Sequence, residues 1–231
     1  MGTHGGPNIV EDGLILAIDA ANIKSYPGSG TNINDISGNG IVATLNNSPT
    51  INSDGTITLD GVNQYIQVVS DGTTAGFDTQ NFTIDFWCNL TSDGAYEVLW
   101  SYDFTSHTSP YYAQHIRTTN STRRMQISCN NGVADVSGDN AVNFGAWQHW
   151  TWVRDLSAGT TGFYVDGIFD RQDSGETNSI TYYAQEVWIG RANFSSGYLK
   201  GTLGPYKFYN RALSASEILR NHNAIKSRFG L

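Results

Sequence analysis

A pair of carboxylates at the right spacing would make this chain a hydrolase. A retaining glycosidase needs two carboxyl groups about 5–5.5 Å apart, one as nucleophile and one as acid/base. A β-strand supplies such a pair from alternate positions, which share one face. The chain has five glutamates, Glu11, Glu97, Glu176, Glu186 and Glu217, and none lies in an alternating acidic array. Glu217 follows Ser214 at the S-x-x-E spacing of a capping box, where it serves a helix end. Glu97, in Tyr96-Glu97-Val98-Leu99-Trp100, is the only one on a clear strand, and Asp85 or Asp103 would have to be its partner. No catalytic residue is assigned, and the chain is read as non-enzymatic.

Oxygen-rich loops suggest a cation. Calcium takes six to eight oxygens from carboxylates, amides and backbone carbonyls. Asp19, Asp35, Asn39 and Asp60 are the candidate ligands for a structural Ca2+, with Asn22 nearby in sequence. The competing reading is equally physical, because Asp35 and Asn39 are natural turn formers that bond to their own loop backbone. Zinc is disfavoured, since the five histidines are scattered and Cys88 and Cys129 have no second ligand at metal spacing. His149, within a Trp-rich strand, is expected to bond to a neighbouring segment.

Sugar sites combine aromatic faces with polar groups in a largely preformed pocket. Two segments offer that mixture. One holds Tyr102, Asp103, Phe104, His107, Tyr111 and Tyr112, with Gln114 close behind; the other holds Phe194 and Tyr198. Tyr182 and Tyr183 are a third possibility. Aromatic residues in loops are not needed for a core, and exposed clusters of them mark interfaces. A glycan and a protein partner remain equal alternatives here. The tryptophans at 87, 100, 147, 150, 152 and 188 sit in strands and are assigned to the core or half-buried positions.

These residues are carried by many short strands. Leu14/Leu16/Ile18 alternate, then a long polar loop runs from Ala20 to Gly40. Phe82/Ile84/Phe86/Cys88/Leu90 give the clearest alternation, and Met125/Ile127/Cys129 give another. Both cysteines therefore face inward as buried thiols, and a disulfide would require their strands to be neighbours. Asp60-Gly61 reads as a tight turn, and Asp166-Gly167 as a type I′ hairpin turn. After Ser214, Ile218, Leu219, His222, Ile225 and Phe229 recur at helical spacing. The expected fold is all-β: a two-sheet antiparallel jelly-roll-like β-sandwich with a short C-terminal helix. Its parts are an arm over 1–12, the sandwich over 13–213, and a helix and tail over 214–231 packed on it.

Composition narrows the function classes. The 231 residues suit one large domain, 25 glycines suit many turns, and a net charge of −8 argues against nucleic acid. Arg117, Arg123 and Arg124 read as a solvated face. No signal peptide and no membrane-spanning segment are expected. Asn-x-Ser/Thr triplets are read as unglycosylated.

Several segments resemble a known family. They are Gly13–Asn22 (GLILAIDAAN), Asp35–Gly40 (DISGNG), Leu59–Tyr65 (LDGVNQY), Phe82–Trp87, Trp147–Trp150, Tyr164–Gly167 and the ending from Trp188-Ile189-Gly190-Arg191 through Asn210–Ile218. Together they look like laminin-G-like (concanavalin A-like) lectin/glucanase domains. The resemblance implies a sandwich that binds sugars, cleaves them or builds surfaces. It departs from the glucanases in lacking their E-x-D-x-x-E array. The SYPGSGT stretch and the KSRFGL end resemble structural proteins of tailed, especially marine, bacteriophages. That implies a virion protein of the decoration or fibre type, assembled in a host cytoplasm, with other virion proteins and host-surface glycans as partners. Homo-oligomerisation is one further expectation. A pure scaffold without glycan binding and a carbohydrate-active enzyme are the two rivals.

Overall fold

A computed structural model of the protein describes residues 8–69, 71–91, 96–103, 112–119, 123–129, 141–174, 178–192 and 197–231. The strands among them are β1 (Leu14–Ile18), β2 (Asn32–Asn34), β3 (Val42–Asn46), β4 (Thr50–Ile51), β5 (Ile57–Asp60), β6 (Tyr65–Val69), β7 (Phe82–Leu90) and β8 (Val98–Asp103). They continue with β9 (Tyr112–Thr118), β10 (Met125–Ser128), β11 (Gln148–Asp155), β12 (Thr160–Val165), β13 (Ile168–Ser174), β14 (Val187–Ile189) and β15 (Lys200–Tyr209). Helix α1 (Ala215–Ile225) and a 3₁₀ turn (Lys226–Phe229) close the chain.

The strands form two antiparallel sheets. One runs β13-β12-β11-β7-β15-β5-β4, with β1 also on β15; the other runs β10-β9-β8-β14-β6-β3-β2. The all-β sandwich with one short C-terminal helix is therefore the observed architecture. The core lies between the sheets and is rich in rings. Phe208 stacks on Phe82 and Trp100 with centroids 5.9 and 5.7 Å apart, and Phe77 meets it edge-on at 4.7 Å. Burying each such ring contributes about 1.5–3 kcal/mol.

Strand β7 is covered on both faces. Phe82, Ile84, Phe86, Cys88 and Leu90 enter the core, whereas Thr83, Asp85 and Trp87 are also buried. The reason is α1. Asn221 of the helix donates to Asp85 at 3.2 Å and to the Tyr209 hydroxyl at 3.0 Å. Trp87 stacks against His149, His222 and Phe229. The capping box is present, with both the Ser214 hydroxyl and the Glu217 carboxylate bonded to the opposite backbone N–H. Residues 8–12 dock on the same helix: the Val10 N–H donates to Asn221 Oδ1 at 2.9 Å, and the Tyr209 hydroxyl donates to the Val10 carbonyl.

One local detail differs from expectation. The long loop contains β2, which pairs Asn32–Asn34 with β3. A three-residue strand with one apolar side chain, Ile33, is too short to register as alternation. Residues 1–7 of the expected arm lie outside the described residues. Cys88 and Cys129 are buried and no disulfide joins them; burial pushes the Cys88 thiol well above its usual range. The Asp166-Gly167 turn has both residues at positive φ, 52° and 78°, as type I′ requires.

Candidate functional site

On β6, β14, β8, β9 and β10, alternate side chains leave the core and face the other way. Val187 and Ile189 enter the core, so Trp188 lies on the outer face of the second sheet. Registers then align one row across all seven strands. Asn32 pairs with Thr44, Thr44 with Gln67, Gln67 with Trp188, Trp188 with Ser101, Ser101 with His115, and His115 with Ser128. Six strand spacings make this row about 29 Å long. Every member is polar except Trp188, and its indole N–H is polar too. Such a row is not core-forming.

The row is open at one end and covered at the other. Asn32 is exposed and Thr44 and Gln67 are half-buried, while Trp188, Ser101, His115 and Ser128 are buried. The Trp188 indole N–H and the Ser101 and Ser128 hydroxyls have no hydrogen-bond partner among the described residues. Leaving a buried donor unmatched costs about 1–3 kcal/mol, so such groups point to something they are kept for.

Aromatic and charged groups flank the open end. Tyr65, two positions from Gln67 on the same face, lies 6.4 Å from Tyr198. The Arg191 guanidinium lies over the Trp188 ring at 4.4 Å and over the Tyr65 ring at 4.8 Å. Gly190 places it there. Its φ is +82°, and a Cβ at that position would come within 2.4 Å of Leu59 Cδ1. Glu186 accepts from Gln67 Nε2 at 2.8 Å. At the covered end, Asp103 Oδ1 and His115 Nδ1 are 3.0 Å apart, with both side chains fully buried.

The expected site residues separate into groups. Tyr102 does not sit in an exposed loop: it belongs to β8, faces the core, and its hydroxyl donates to the Tyr183 carbonyl at 2.8 Å. Burial raises its hydroxyl far above the usual phenol range, with the Asp71 charge adding to the shift. Gln114 is likewise internal, bridging Trp100, Phe77 and Tyr182. Asp103 is held against His115. Tyr112 is half-buried on the outer face, 4.6 Å from the His115 ring. Tyr198 joins Tyr65 at the open end. Phe104, His107, Tyr111 and Phe194 lie outside the described residues. Gln67, Ser101, Ser128, Trp188 and Arg191 were not singled out as site residues, because their strands meet only in the folded sheet.

The four proposed calcium ligands are engaged in closing loops. Asp19 pairs with Arg228 at 2.7 and 3.0 Å. Asp35 accepts from the Ala17 and Ser37 N–H groups, the Ser37 hydroxyl and the Asn39 N–H. The Asn39 amide donates to the Leu14 and Ile15 carbonyls. Asp60 accepts from the N–H groups of Val62, Asn63 and Gln64, which hold its carboxyl below the usual range against the opposing effect of desolvation. Among the described residues, no three His, Cys, Asp or Glu side chains group to hold a metal.

Among the described residues, no acyl-transfer triad forms either. The hydroxyls of Ser101 and Ser128 flank the Asp103–His115 pair without bonding to the imidazole. Glu97 is buried and accepts from the Lys200 N–H. A cleft of about 710 Å³, lined by Tyr26, Asn52 and Asp54 among others, lies at the long loop. Its acid Asp54 is occupied by Thr56, and the row carries more uncommitted polar groups.

Comparisons with solved structures agree on the architecture. The fold superposes on Trypanosoma rangeli sialidase with a TM-score of 0.68 at 15% identity, covering 94% of this chain and 33% of that one. It superposes on the binding domain of Botulinum neurotoxin DC in complex with rat synaptotagmin II with a TM-score of 0.68 at 13% identity, covering 94% and 52%. The same binding domain, in complex with SialylT, matches at 12% identity with a TM-score of 0.68, covering 93% and 52%. The chain thus spans one third to one half of the structures it resembles, and the likeness is one of fold. No curated protein sequence matches it. A family model described as the concanavalin A-like lectin/glucanases superfamily, of laminin-G type, matches residues 60–219. Two packed antiparallel sheets, the capped helix on β7 and that match over most of the chain lead to one conclusion: this protein belongs to the concanavalin A-like lectin/glucanases superfamily.

Proposed function

We propose that the chain is a non-enzymatic carbohydrate-binding module whose ligand lies along the outer face of the seven-stranded sheet. The observation that carries this reading is the open end of the cross-strand row, where exposed Asn32 and half-buried Thr44 and Gln67 lie beside the Tyr65 and Tyr198 rings and Arg191. Amides and hydroxyls on one face supply paired donors and acceptors, and Tyr65 and Tyr198 supply ring faces. Similar folds are named in complex with sialic acid and with SialylT, which supports a saccharide as the ligand class. The absence of an acidic array in the sequence supports binding over cleavage. The phage-like motifs support a role on a virion surface, attaching to host or environmental glycans.

The test is a glycan array with the purified protein, in calcium and in chelator. Specific binding weakened about tenfold by Gln67→Ala and by Tyr65→Ala, about 1.4 kcal/mol each, is the expected outcome. Binding is expected to survive chelation, because Asp19, Asp35 and Asp60 already have protein partners. Loss of binding in chelator would instead make calcium a cofactor of the loop. No glycan bound in either condition would overturn this reading in favour of a virion scaffold.

A further inference from the structure

We infer that the saccharide bound on this face carries a carboxylate and that Arg191 reads it; this rests on the carbohydrate-binding reading above. Arg191 is half-buried beside the row and uses its flat faces on Trp188 and Tyr65. Stacking of a guanidinium leaves its in-plane N–H edge free. No carboxylate or carbonyl of the described residues takes that edge. The nearby acids on the same face have other partners: Glu186 takes Gln67, and Asp103 takes His115. Arg211 and Arg228, by contrast, are matched with Glu217 and Asp19.

An uncommitted, pre-oriented fork in a protein of net charge −8 is a specific feature. The aromatic faces restrict its rotation, so less entropy is lost when it engages an anion, and the fork geometry matches the two oxygens of a carboxylate. Gly190 favours this position: its φ of +82° is strained for other residues, and a Cβ there would have to displace Leu59 Cδ1. Gln67 is the register partner of Trp188, so it lies within the same patch as an amide for the neighbouring hydroxyls. The shared chemistry is an anionic sugar bearing –COO⁻, which a sialoside or a uronate would supply.

The experiment uses matched probes on the full chain. The carboxylated arms are 3′-sialyllactose and an oligogalacturonate. Their neutral counterparts are lactose and the carboxyl-reduced oligomer, and a sulfated galactoside forms a third arm. We expect at least one carboxylated probe to bind at least tenfold more tightly than its neutral counterpart, with the preference falling as salt rises. Arg191→Gln should remove that preference, and Arg191→Lys, which keeps charge but loses the fork, should recover only part of it. Unchanged thermal unfolding of both variants checks that they fold. The inference is overturned if neutral probes bind as well as carboxylated ones, if only the sulfated arm binds, or if Arg191→Gln leaves the preference intact. Neutral binding that still depends on Tyr65 would leave the carbohydrate reading standing; no binding by any probe would remove both.

Discussion

Asp85 has the most heavily partnered charge in the molecule's described interior. Lys207 reaches it directly across β7 and β15, His149 Nε2 lies 3.0 Å away, and Asn221 comes from α1. Burial alone would favour the neutral acid; His149 and then Lys207 outweigh it and hold the carboxyl far below its usual range. Lys207→Met would leave that carboxylate buried without its cation. It should destabilise the fold by about 3–5 kcal/mol in urea denaturation. The double variant Lys207→Met/Asp85→Leu should recover much of the loss, because no lone charge then remains. Equal losses in single and double variants would show that the packing of the Lys207 stem, and not charge pairing, matters.

Helix α1 is tied to the sandwich by its cap and by its underside. Ser214→Ala removes the hydroxyl that accepts from the Glu217 N–H and should cost about 1 kcal/mol in thermal or urea unfolding. The β4–β5 turn is a sharper case. Gly55 has φ +74°, and a Cβ there would lie 2.3 Å from the Ala21 backbone. Gly40 has φ +75° with nothing within 4 Å. Gly40→Ala should therefore cost only the left-handed backbone penalty, about 1–2 kcal/mol. Gly55→Ala should cost clearly more, because the long loop must shift off the turn. Similar melting temperatures for the two variants would refute the contact argument.

Acid should loosen the whole sandwich through the seam between sheet and helix. Hydrogen bonding to Arg211 is the main cause that lowers the Glu217 carboxyl to about 2, and Asp85 is depressed as well. For depressed acids the sign is fixed. The folded state gains stability above the unfolded pKa, near 4, and loses it as pH falls through the folded values. His222 in the same seam has its pKa lowered by burial, so a smaller loss should begin as pH falls below about 6.5. Urea midpoints should then drop most between about pH 4 and pH 2. Glu217→Gln should flatten part of that acid drop. A profile flat between pH 4 and pH 2 would remove the carboxylates as its cause.

Much of this protein was written locally. The strict alternation of Phe82–Leu90 determined β7 and its inward set; Asp166-Gly167 determined a hairpin; Ser214 and Glu217 determined where α1 begins. These depend on neighbours within a few residues, so a one-dimensional pattern carries them. The binding face did not have that property. Trp188 read as core or half-buried, and it is buried, but on the outer face of its sheet beside Ser101 and Gln67. Tyr102 read as an exposed ring, yet β8 continues far enough to bury it. Asp85 read as a candidate partner for Glu97, yet β15 and α1 bring it Lys207 and Asn221 instead. Side-chain direction along a strand repeats every second residue, and bulges such as those at Val98/Trp100 and Tyr102/Asp103 reset that phase. Sequence thus determined the strands, the turns and the family, whereas only the pairing of distant strands decided which polar groups share a face.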